Sequence, residues 1–186
     1  MTAEPGPTLT TPRLRLRRWR RADLVPFAEM NADPAVMRYF PRLLDRIESD
    51  AIVERTEASF DERGYGVWVV ERRSDDAFLG FTGLSLPTFE AAFTPCVEVG
   101  WRLRSNAWGH GYATEAGREA LRFGFDELRL AEILSWTSAT NHPSIRVMER
   151  LGMHRDPTGD FDHPGVPVGS PLRPHVLYRL RADETL

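Results

Sequence analysis

The sequence contains no lysine, and all 24 of its basic residues are arginine. Arginine pairs bidentately with phosphate, but these arginines are scattered over the whole chain, so the codon usage of a G+C-rich genome explains them more simply. Together with 27 acidic residues they give a formal net charge of −3. Because nucleic-acid-binding proteins usually present a basic surface, we expect no nucleic-acid partner.

Cysteine and long apolar segments are also scarce. The single cysteine, Cys96, excludes an internal disulfide, which agrees with a reducing compartment. No apolar run approaches the roughly 18 residues of a membrane span. Residues 1–12 lack the apolar segment behind positive charge that marks a secretory signal. We therefore expect a cytoplasmic protein that does not enter a membrane.

The 186 residues are enough for one well-buried core and too few for two comfortable ones. We expect a single domain over residues 1–186, with its core at about 9–180. Hydrophobic periodicity predicts the element order β-α-α-β-β-β-α-β-α-β. The predicted strands are residues 14–19, 67–72, 78–86, 97–103, 133–137 and 176–180. Four helices are predicted. The first begins at Asp23, and the second spans 49–63 with Ser49 and Asp50 as caps. The third spans 114–128, and the fourth runs from Pro143 to Gly152.

Two other segments have a distinctive composition. Near the N-terminus, arginines alternate with Leu14 and Leu16, which predicts the solvated face of a strand. These arginines are Arg13, Arg15, Arg17, Arg18, Arg20 and Arg21. Residues 155–175 are rich in Pro, Gly, Asp and His, and we expect an ordered loop over the functional site.

A glycine turn lies between the strand at residues 97–103 and the long helix that follows. Gly109 and Gly111 flank His110, so the backbone there can approach a ligand closely. The free N–H groups of the first helical turn and the positive end of the helix dipole favour an anion. This arrangement predicts a phosphate or pyrophosphate site, although the glycines of an ordinary strand-turn-helix would look the same.

The helix after this turn has small residues at spacings of three and four, namely Ala113, Ala116, Gly117 and Ala120. Its inward face is therefore nearly smooth and can lie close to a sheet. Because glycine inside a helix costs about 1 kcal/mol relative to alanine, Gly117 indicates a close approach.

This stretch resembles the acyl-CoA pyrophosphate loop of the GNAT N-acetyltransferases, in particular the branch of the ribosomal-protein acetyltransferases RimJ and RimL. The family pattern is Gln or Arg, two free residues, Gly, one free residue, then Gly or Ala. Gly111 and Ala113 match the last two fixed positions, whereas Trp108 stands where Gln or Arg is usual. The substitution removes one polar contact and leaves the backbone donors, which carry most phosphate recognition.

The resemblance implies an α+β fold, the GNAT acyltransferase fold, in which helices flank a mixed, mostly antiparallel sheet. It also implies acetyl-CoA as cofactor, CoA as product and a primary amine as acceptor. An aliphatic amine is almost wholly protonated at neutral pH, so the site must remove a proton. The residues expected to bind the cofactor are Val99, Trp101, Trp108, Gly109, His110, Gly111, Tyr112, Ala113, Thr114, Asn141 and Ser144.

Glu98 is the candidate general base. It shares a strand face with Gly100, and in many GNAT enzymes a strand carboxylate near this position relays the proton of the amine. A carboxylate that only structures the sheet or the substrate pocket is an equally weighted interpretation.

Asn141 and Ser144 open the helix after the strand at residues 133–137. In the family, an Asn at this place bonds the pantetheine arm, and Asn141 also suits a helix cap. The tyrosine that many members use to protonate the departing thiolate is replaced by Met148. The resemblance to the RimL-like branch gives that acid role to Ser144, and Tyr178 is the second candidate. The ordinary role of a serine at a helix start is to cap the helix, and that of a strand tyrosine is packing.

Asp160 and Asp162 lie in the loop at residues 155–175 and are candidates to attract the positively charged amine, although simple solvation of the loop remains open. With His163 they form Asp-x-Asp-His, which is a weak metal signal, and the family needs no metal. Cys96 has no neighbouring base in the sequence, so a small buried hydrophobe is favoured over a nucleophile.

Other functions were weighed against amine acetylation. A dinucleotide site is disfavoured, because Gly-x-Gly-x-x-Gly near the start of parallel βαβ units is absent. A non-catalytic acyl-CoA-binding or regulatory domain would keep the anion site and lose the acid and base. The acceptor is a protein N-terminus or a small molecule, and the assembly a monomer or homodimer.

Overall fold

The computed structural model describes residues 7–184, which contain nine strands and four α-helices. The strands are β1 (Leu9–Thr10), β2 (Leu14–Arg17), β3 (Val67–Arg72), β4 (Ala77–Ser85), β5 (Glu98–Leu103), β6 (Glu132–Ser138), β7 (His154–Arg155), β8 (Phe161–Asp162) and β9 (Pro174–Arg181). The helices are α1 (Leu24–Asn31), α2 (Arg46–Arg63), α3 (Tyr112–Asp126) and α4 (His142–Arg150). Residues 1–6, the first half of the segment 1–12 that was compared with a secretory signal, lie outside the described residues.

The strands form one sheet in the order β1-β2-β3-β4-β5-β6-β9-β7, with β8 also paired to β9. All neighbours are antiparallel except β5 and β6, which run parallel and share the single register pair Glu98 and Leu134. This is the mixed, mostly antiparallel sheet that the resemblance implies, and the α+β class predicted from the sequence is confirmed.

Each face of the sheet is covered by its own helices. On one face, α1 and α2 enclose a cluster of buried side chains that includes Trp19, Phe27 and Val69. On the other, α3 lies against β4 and β5 over a larger cluster that includes Trp68, Leu84 and Val99. The candidate site described below lies where β5 and β6 separate.

Two glycines, Gly117 and Gly124, allow α3 to pack closely. Gly124 does not belong to the stripe of small residues identified in the sequence. A Cβ at Gly117 would lie 3.0 Å from the Leu151 side chain, which follows α4. A Cβ at Gly124 would lie 2.6 Å from the Ile133 side chain of β6. The close approach inferred at Gly117 therefore exists, but it is made to the end of α4, and Gly124 is the glycine that faces the sheet.

The start of α2 differs from the prediction. Asp45, rather than Ser49 or Asp50, is the N-cap, and its side chain accepts a hydrogen bond from the Glu48 N–H at 2.8 Å. Ser49 lies inside the helix, buried, and its hydroxyl accepts from the Asn31 amide at 3.0 Å. The prediction was wrong because Asp45 and Ser49 are both good caps and only the packing against α1 decides between them.

Arg17 is also not where the alternating pattern placed it. It is 6% exposed, and its guanidinium contacts Asp23 at 2.8 Å and Glu71 at 2.6 Å. The two carboxylates compensate the buried cation, so this arginine ties β2 to β3 instead of facing solvent. Leu14 and Leu16 are fully buried, as predicted.

Residues 155–175 are more regular than the expected loop. They contain β8, which pairs with the start of β9, and a short 3-10 helix, Pro157–Gly159. The preceding strand β7 adds His154 and Arg155 to the other end of β9. The segment is therefore an irregular hairpin fixed to the sheet edge.

Candidate active site

The strands β5 and β6 separate immediately after their single register pair. The Leu134 N–H donates to the Val97 carbonyl at 2.9 Å, but the next carbonyl on that edge, of Val99, accepts from the Ser135 hydroxyl at 2.9 Å. Alternate residues of a strand direct their main-chain groups to the same edge. Trp101 therefore presents its N–H and C=O to a gap between the strands, where an extended amide-containing ligand finds partners.

The N-terminus of α3 lies beyond this gap and is rich in free donors. The N–H groups of residues 109–114 have no acceptor among residues 7–184, and no side chain caps the helix. Gly109 and Gly111 both have a φ of +79°, a conformation that glycine adopts without a steric penalty. Free N–H groups at the positive end of a 15-residue helix favour an anion, as the resemblance to the acyl-CoA pyrophosphate loop implies.

Side chains around the turn hold it in place and leave its donors free. Trp108, 49% exposed, donates its indole N–H to the Leu103 carbonyl at 2.9 Å and so ties the turn to the end of β5. Arg13 donates to the His110 carbonyl at 3.0 Å and to the Glu115 carboxylate at 2.6 Å. Burial works against ionisation of Glu115, but hydrogen bonds from Thr11 and Arg13 outweigh it and lower the pKa. His110 stacks on Tyr112.

A cavity of about 560 Å³ opens beside this helix terminus. Its lining includes Gly111 and Thr114, three arginines, Arg13, Arg118 and Arg150, and two carboxylates, Glu115 and Glu119. The arginines outnumber the carboxylates by one, and this small excess of positive charge lies next to the free N–H groups, which suits a phosphate.

Glu98 begins β5 at the point of strand separation. Its carboxylate accepts a hydrogen bond at 2.8 Å from the Ser85 hydroxyl, on the neighbouring strand. Burial raises its pKa to about 7, while the Ser85 hydroxyl acts in the opposite direction. A carboxyl group with a pKa near neutrality is suited to accept a proton from an ammonium group.

The face of β5 that carries Glu98 is open at the next position and positively charged beyond it. A Cβ at Gly100 would meet no atom within 4 Å. Arg102 follows on the same face and is half-buried, with its guanidinium 4.1 Å from the centre of the Phe40 ring. Glu98, Gly100 and Arg102 thus share the face of β5 that is turned away from α3, toward the α1 and α2 side of the sheet.

An aromatic cluster surrounds Trp136 of β6, the strand next to β5. Its rings contact one another within 6.4 Å between centroids, and burial lowers the pKa of both its histidines, so it is uncharged at neutral pH. It consists of Phe89, Phe93, Trp136, Phe161, His163 and His175. The sequence analysis named only His163 among them, as part of the Asp-x-Asp-His pattern, and did not predict the cluster, since its members come from four separate segments.

Asn141 caps α4, which confirms its predicted cap position. Its side-chain oxygen accepts from the Ser144 N–H at 3.4 Å, and its amide donates to Thr137 at 2.8 Å and to the Ser144 hydroxyl at 3.1 Å. Both amide hydrogens are therefore used within the protein, which leaves only the side-chain oxygen for a ligand. The Ser144 hydroxyl accepts from Asn141, so its own hydrogen is free among the described residues.

Tyr178 and Cys96 lie in less reactive surroundings. Tyr178 is buried beneath α4, where burial and the nearby Glu149 carboxylate raise the pKa of the phenol. Burial, together with the charge of Glu98, raises the pKa of the Cys96 thiol to about 11. The thiol is protonated at neutral pH, which is unfavourable for a nucleophile.

Asp160 and Asp162 each have a cationic partner. Asp160 pairs with Arg155 and accepts from the Leu177 N–H at 3.3 Å, and Asp162 lies 3.1 Å from Arg173. These pairs fix the hairpin and partly neutralise the carboxylates. Within residues 7–184 no group of three His, Cys, Asp or Glu side chains is arranged to hold a metal ion.

The GNAT family model, described as Acetyltransferase (GNAT) domain, matches residues 13–154. The match covers most of the chain, so the protein belongs to the GNAT acetyltransferase family. It is an acyltransferase that uses acetyl-CoA, in agreement with the anion site at the start of α3.

Three comparisons illustrate the relationship. Uncharacterized protein YkkB of Bacillus subtilis (strain 168) is 34% identical over 153 residues, which are 81% of this chain and 87% of YkkB. FsC-acetyl coenzyme A-N(2)-transacetylase of Aspergillus fumigatus is 31% identical over 197 aligned residues, spanning 100% of this chain and 81% of that protein. The solved acetyltransferase (GNAT family) of Bacillus anthracis has a TM-score of 0.78 and 24% identity, covering 95% of this chain and 99% of its own. This last similarity concerns the fold.

None of the helices in residues 7–184 has the length and apolar character needed to cross a bilayer.

Proposed function

We propose that the protein transfers the acetyl group of acetyl-CoA directly to a primary amine while both are bound, with Glu98 as general base. The observation that carries the proposal is the position of Glu98, at the point where β5 leaves β6, with a pKa raised to about 7 by burial. The open position at Gly100 leaves room for an amine beside it. A relative named as an acetyl coenzyme A-N(2)-transacetylase supports transfer to nitrogen.

Acetyl-CoA supplies a thioester carbon that an uncharged amine attacks. Glu98 accepts a proton from the ammonium group, directly or through water, so that the nitrogen lone pair becomes available. A C–N bond then forms as the C–S bond breaks. The hydroxyl of Ser144, whose hydrogen is free, donates to the departing sulfur, and Tyr178 is the second candidate for this role. Thiols are far more acidic than alcohols, so a hydrogen bond is sufficient help for the sulfur to leave.

The chain positions the cofactor by its main chain. The free N–H groups of residues 109–114 hold the diphosphate, and the edge of β5 at Val99 and Trp101 holds the amides of the pantetheine arm. The Asn141 amide donates both of its hydrogens to Thr137 and Ser144. It therefore offers the pantetheine arm only its side-chain oxygen, as an acceptor. Trp108 shapes the turn through its bond to Leu103.

We further propose that residues 1–186 form one GNAT domain of the RimJ and RimL type. Ser144 and Met148 at the positions discussed above support this branch, and β9, which lies beyond residue 154, completes the sheet. Asp160 and Asp162 help to attract the amine. Their role is secondary, because their arginine partners partly neutralise them. The acceptor is a protein N-terminus or a small molecule.

A thiol-release assay with acetyl-CoA and a mixture of amines tests the function. Acetylation of any amine, with turnover that depends on Glu98, supports the proposal. Tight binding of CoA by calorimetry without turnover on any peptide or small amine would indicate a non-catalytic acyl-CoA-binding domain instead.

A further inference from the structure

Arg102 differs from every other arginine in residues 7–184. Each of the others either is exposed to solvent or has a carboxylate oxygen within 4.0 Å. Arg102 is half-buried and has no such carboxylate, and its Nε atom, fully shielded, has no hydrogen-bond partner. Burying a cation without an anion is costly, so this charge lowers the stability of the folded protein.

The surroundings hold the guanidinium in place without neutralising it. Its Nη1 donates to the Asn31 side-chain oxygen at 2.6 Å. The Phe40 and Phe81 rings lie 4.1 and 5.3 Å from it, at cation–π distances. Burial lowers the pKa of Arg102 to about 10, so the group is still charged at neutral pH. A fixed, partly desolvated guanidinium is a strong site for a planar anion.

Arg102 also lies on the same face of β5 as Glu98. The two residues are four apart on one strand and therefore share a face, with about 13 Å between their Cα atoms at roughly 3.3 Å per residue. Gly100 between them leaves the space free. Burial and Ser85 account for the pKa of Glu98, and burial alone for that of Arg102, so the two groups do not neutralise each other.

We propose that Arg102 binds a carboxylate on the acceptor, so that the substrate is a small amine that also carries a carboxylic acid. The amine lies at Glu98 and the carboxylate at Arg102, with the chain between them passing over Gly100. The inference rests on the proposed acetyl transfer and narrows its acceptor. It favours an amino acid or an ω-amino acid over a simple alkylamine or polyamine.

The test compares acceptors that carry a carboxylate with partners of the same chain length that lack it. The acceptors are 4-aminobutyrate and 6-aminohexanoate against their carboxamides, and L-ornithine against putrescine. A charge-assisted hydrogen bond predicts that kcat/KM is about 10- to 100-fold higher for the acids. Equal rates within every pair would overturn the inference while leaving the acetyl transfer intact.

Arg102→Met removes the charge and keeps an apolar stem against Phe40 and Phe81. It should abolish the preference for acids, mainly by raising their KM, and leave the rates with the carboxamides nearly unchanged. Arg102→Lys should retain part of the preference. Arg104→Met is the matched control, because Arg104 is the next arginine on the chain and pairs with Glu29 at 3.2 Å. A loss shared by acids and carboxamides alike would mean that Arg102 is structural.

Calorimetry separates this inference from the proposed function. If no amine is acetylated, the acetyl-transfer proposal fails, and 6-aminohexanoate is then titrated into the CoA-bound protein. Binding that is lost in Arg102→Met supports the carboxylate site, and no binding by the wild type contradicts it. If Arg102→Met does not fold, the wild-type preference and Arg102→Lys decide.

Discussion

The Glu98 carboxylate and the Ser85 hydroxyl lie 2.8 Å apart, on paired residues of two neighbouring strands. The hydroxyl is the one hydrogen-bond donor to this carboxylate among the described residues. It partly offsets the burial that raises the pKa of Glu98 to about 7. Burial therefore dominates the pKa of Glu98, and the Ser85 hydroxyl lowers the pH at which the carboxyl group ionises.

Glu98→Gln should lower kcat/KM for acetyl transfer by about 100-fold or more at pH 8, the usual contribution of a general base. The wild-type rate should rise as Glu98 deprotonates, with an inflection near pH 7. The variant lacks this group, so the ratio of the two rates should grow through pH 7 and then level off. A constant ratio between pH 6 and pH 9 would remove Glu98 as the base.

The same substitution should stabilise the fold. Because its pKa is higher in the folded chain, Glu98 costs stability once ionised, and the cost develops as pH rises from about 4.5 to about 7. At pH 8, Glu98→Gln should gain on the order of 2 to 3 kcal/mol in the free energy of unfolding, and the gain should shrink toward zero near pH 4.5. Urea denaturation at both pH values measures it, and a gain independent of pH would contradict this account.

Ser85→Ala should move the acid limb of the rate profile to higher pH. Loss of the hydroxyl removes the hydrogen bond that favours the carboxylate, and a net bond of about 1 kcal/mol corresponds to about half to one pH unit. Ser59→Ala is the control, because Ser59 bonds the Tyr65 carbonyl far from the site. An unchanged limb in Ser85→Ala would show that this contact does not tune Glu98.

The glycine turn and the helix start that follows it were predictable from the sequence because their determinants are local. Gly109 and Gly111, the preceding strand and the small residues of α3 lie within a short stretch, and periodicity and turn chemistry act at that range. The position of Glu98 on a strand next to the turn was predictable for the same reason.

The partners of these groups were not predictable, because they depend on contacts between distant segments. Nothing in the run containing Arg102 shows that no carboxylate will face it, whereas Arg17, in a similar alternating run, acquires two. Ser85 is one of many serines until the register pairs it with Glu98. Sequence patterns establish which residues share a face, but the tertiary pairing of charges appears only in the folded chain.

Gly111→Glu should weaken CoA binding at least about 100-fold, because it places a negative charge among the donors that hold the diphosphate. A side chain at its φ of +79° also costs about 1 to 2 kcal/mol. Gly152→Glu separates the two effects, since Gly152 has a φ of +80°, open space at its Cβ and a position after α4. Calorimetry with CoA should give wild-type affinity for Gly152→Glu, and equal losses in both variants would assign the effect to backbone strain.

Ser144→Ala should slow thiol release about 10-fold and leave CoA affinity near normal. The substitution removes a hydroxyl whose hydrogen has no acceptor among the described residues, while Asn141 can still cap the helix through the Ser144 N–H. A structural role alone would lower the melting temperature and leave the chemistry unchanged. Ser144→Thr keeps the hydroxyl and should recover most of the rate. A wild-type rate in Ser144→Ala would transfer the acid role to Tyr178, which Tyr178→Phe then tests by the same assay.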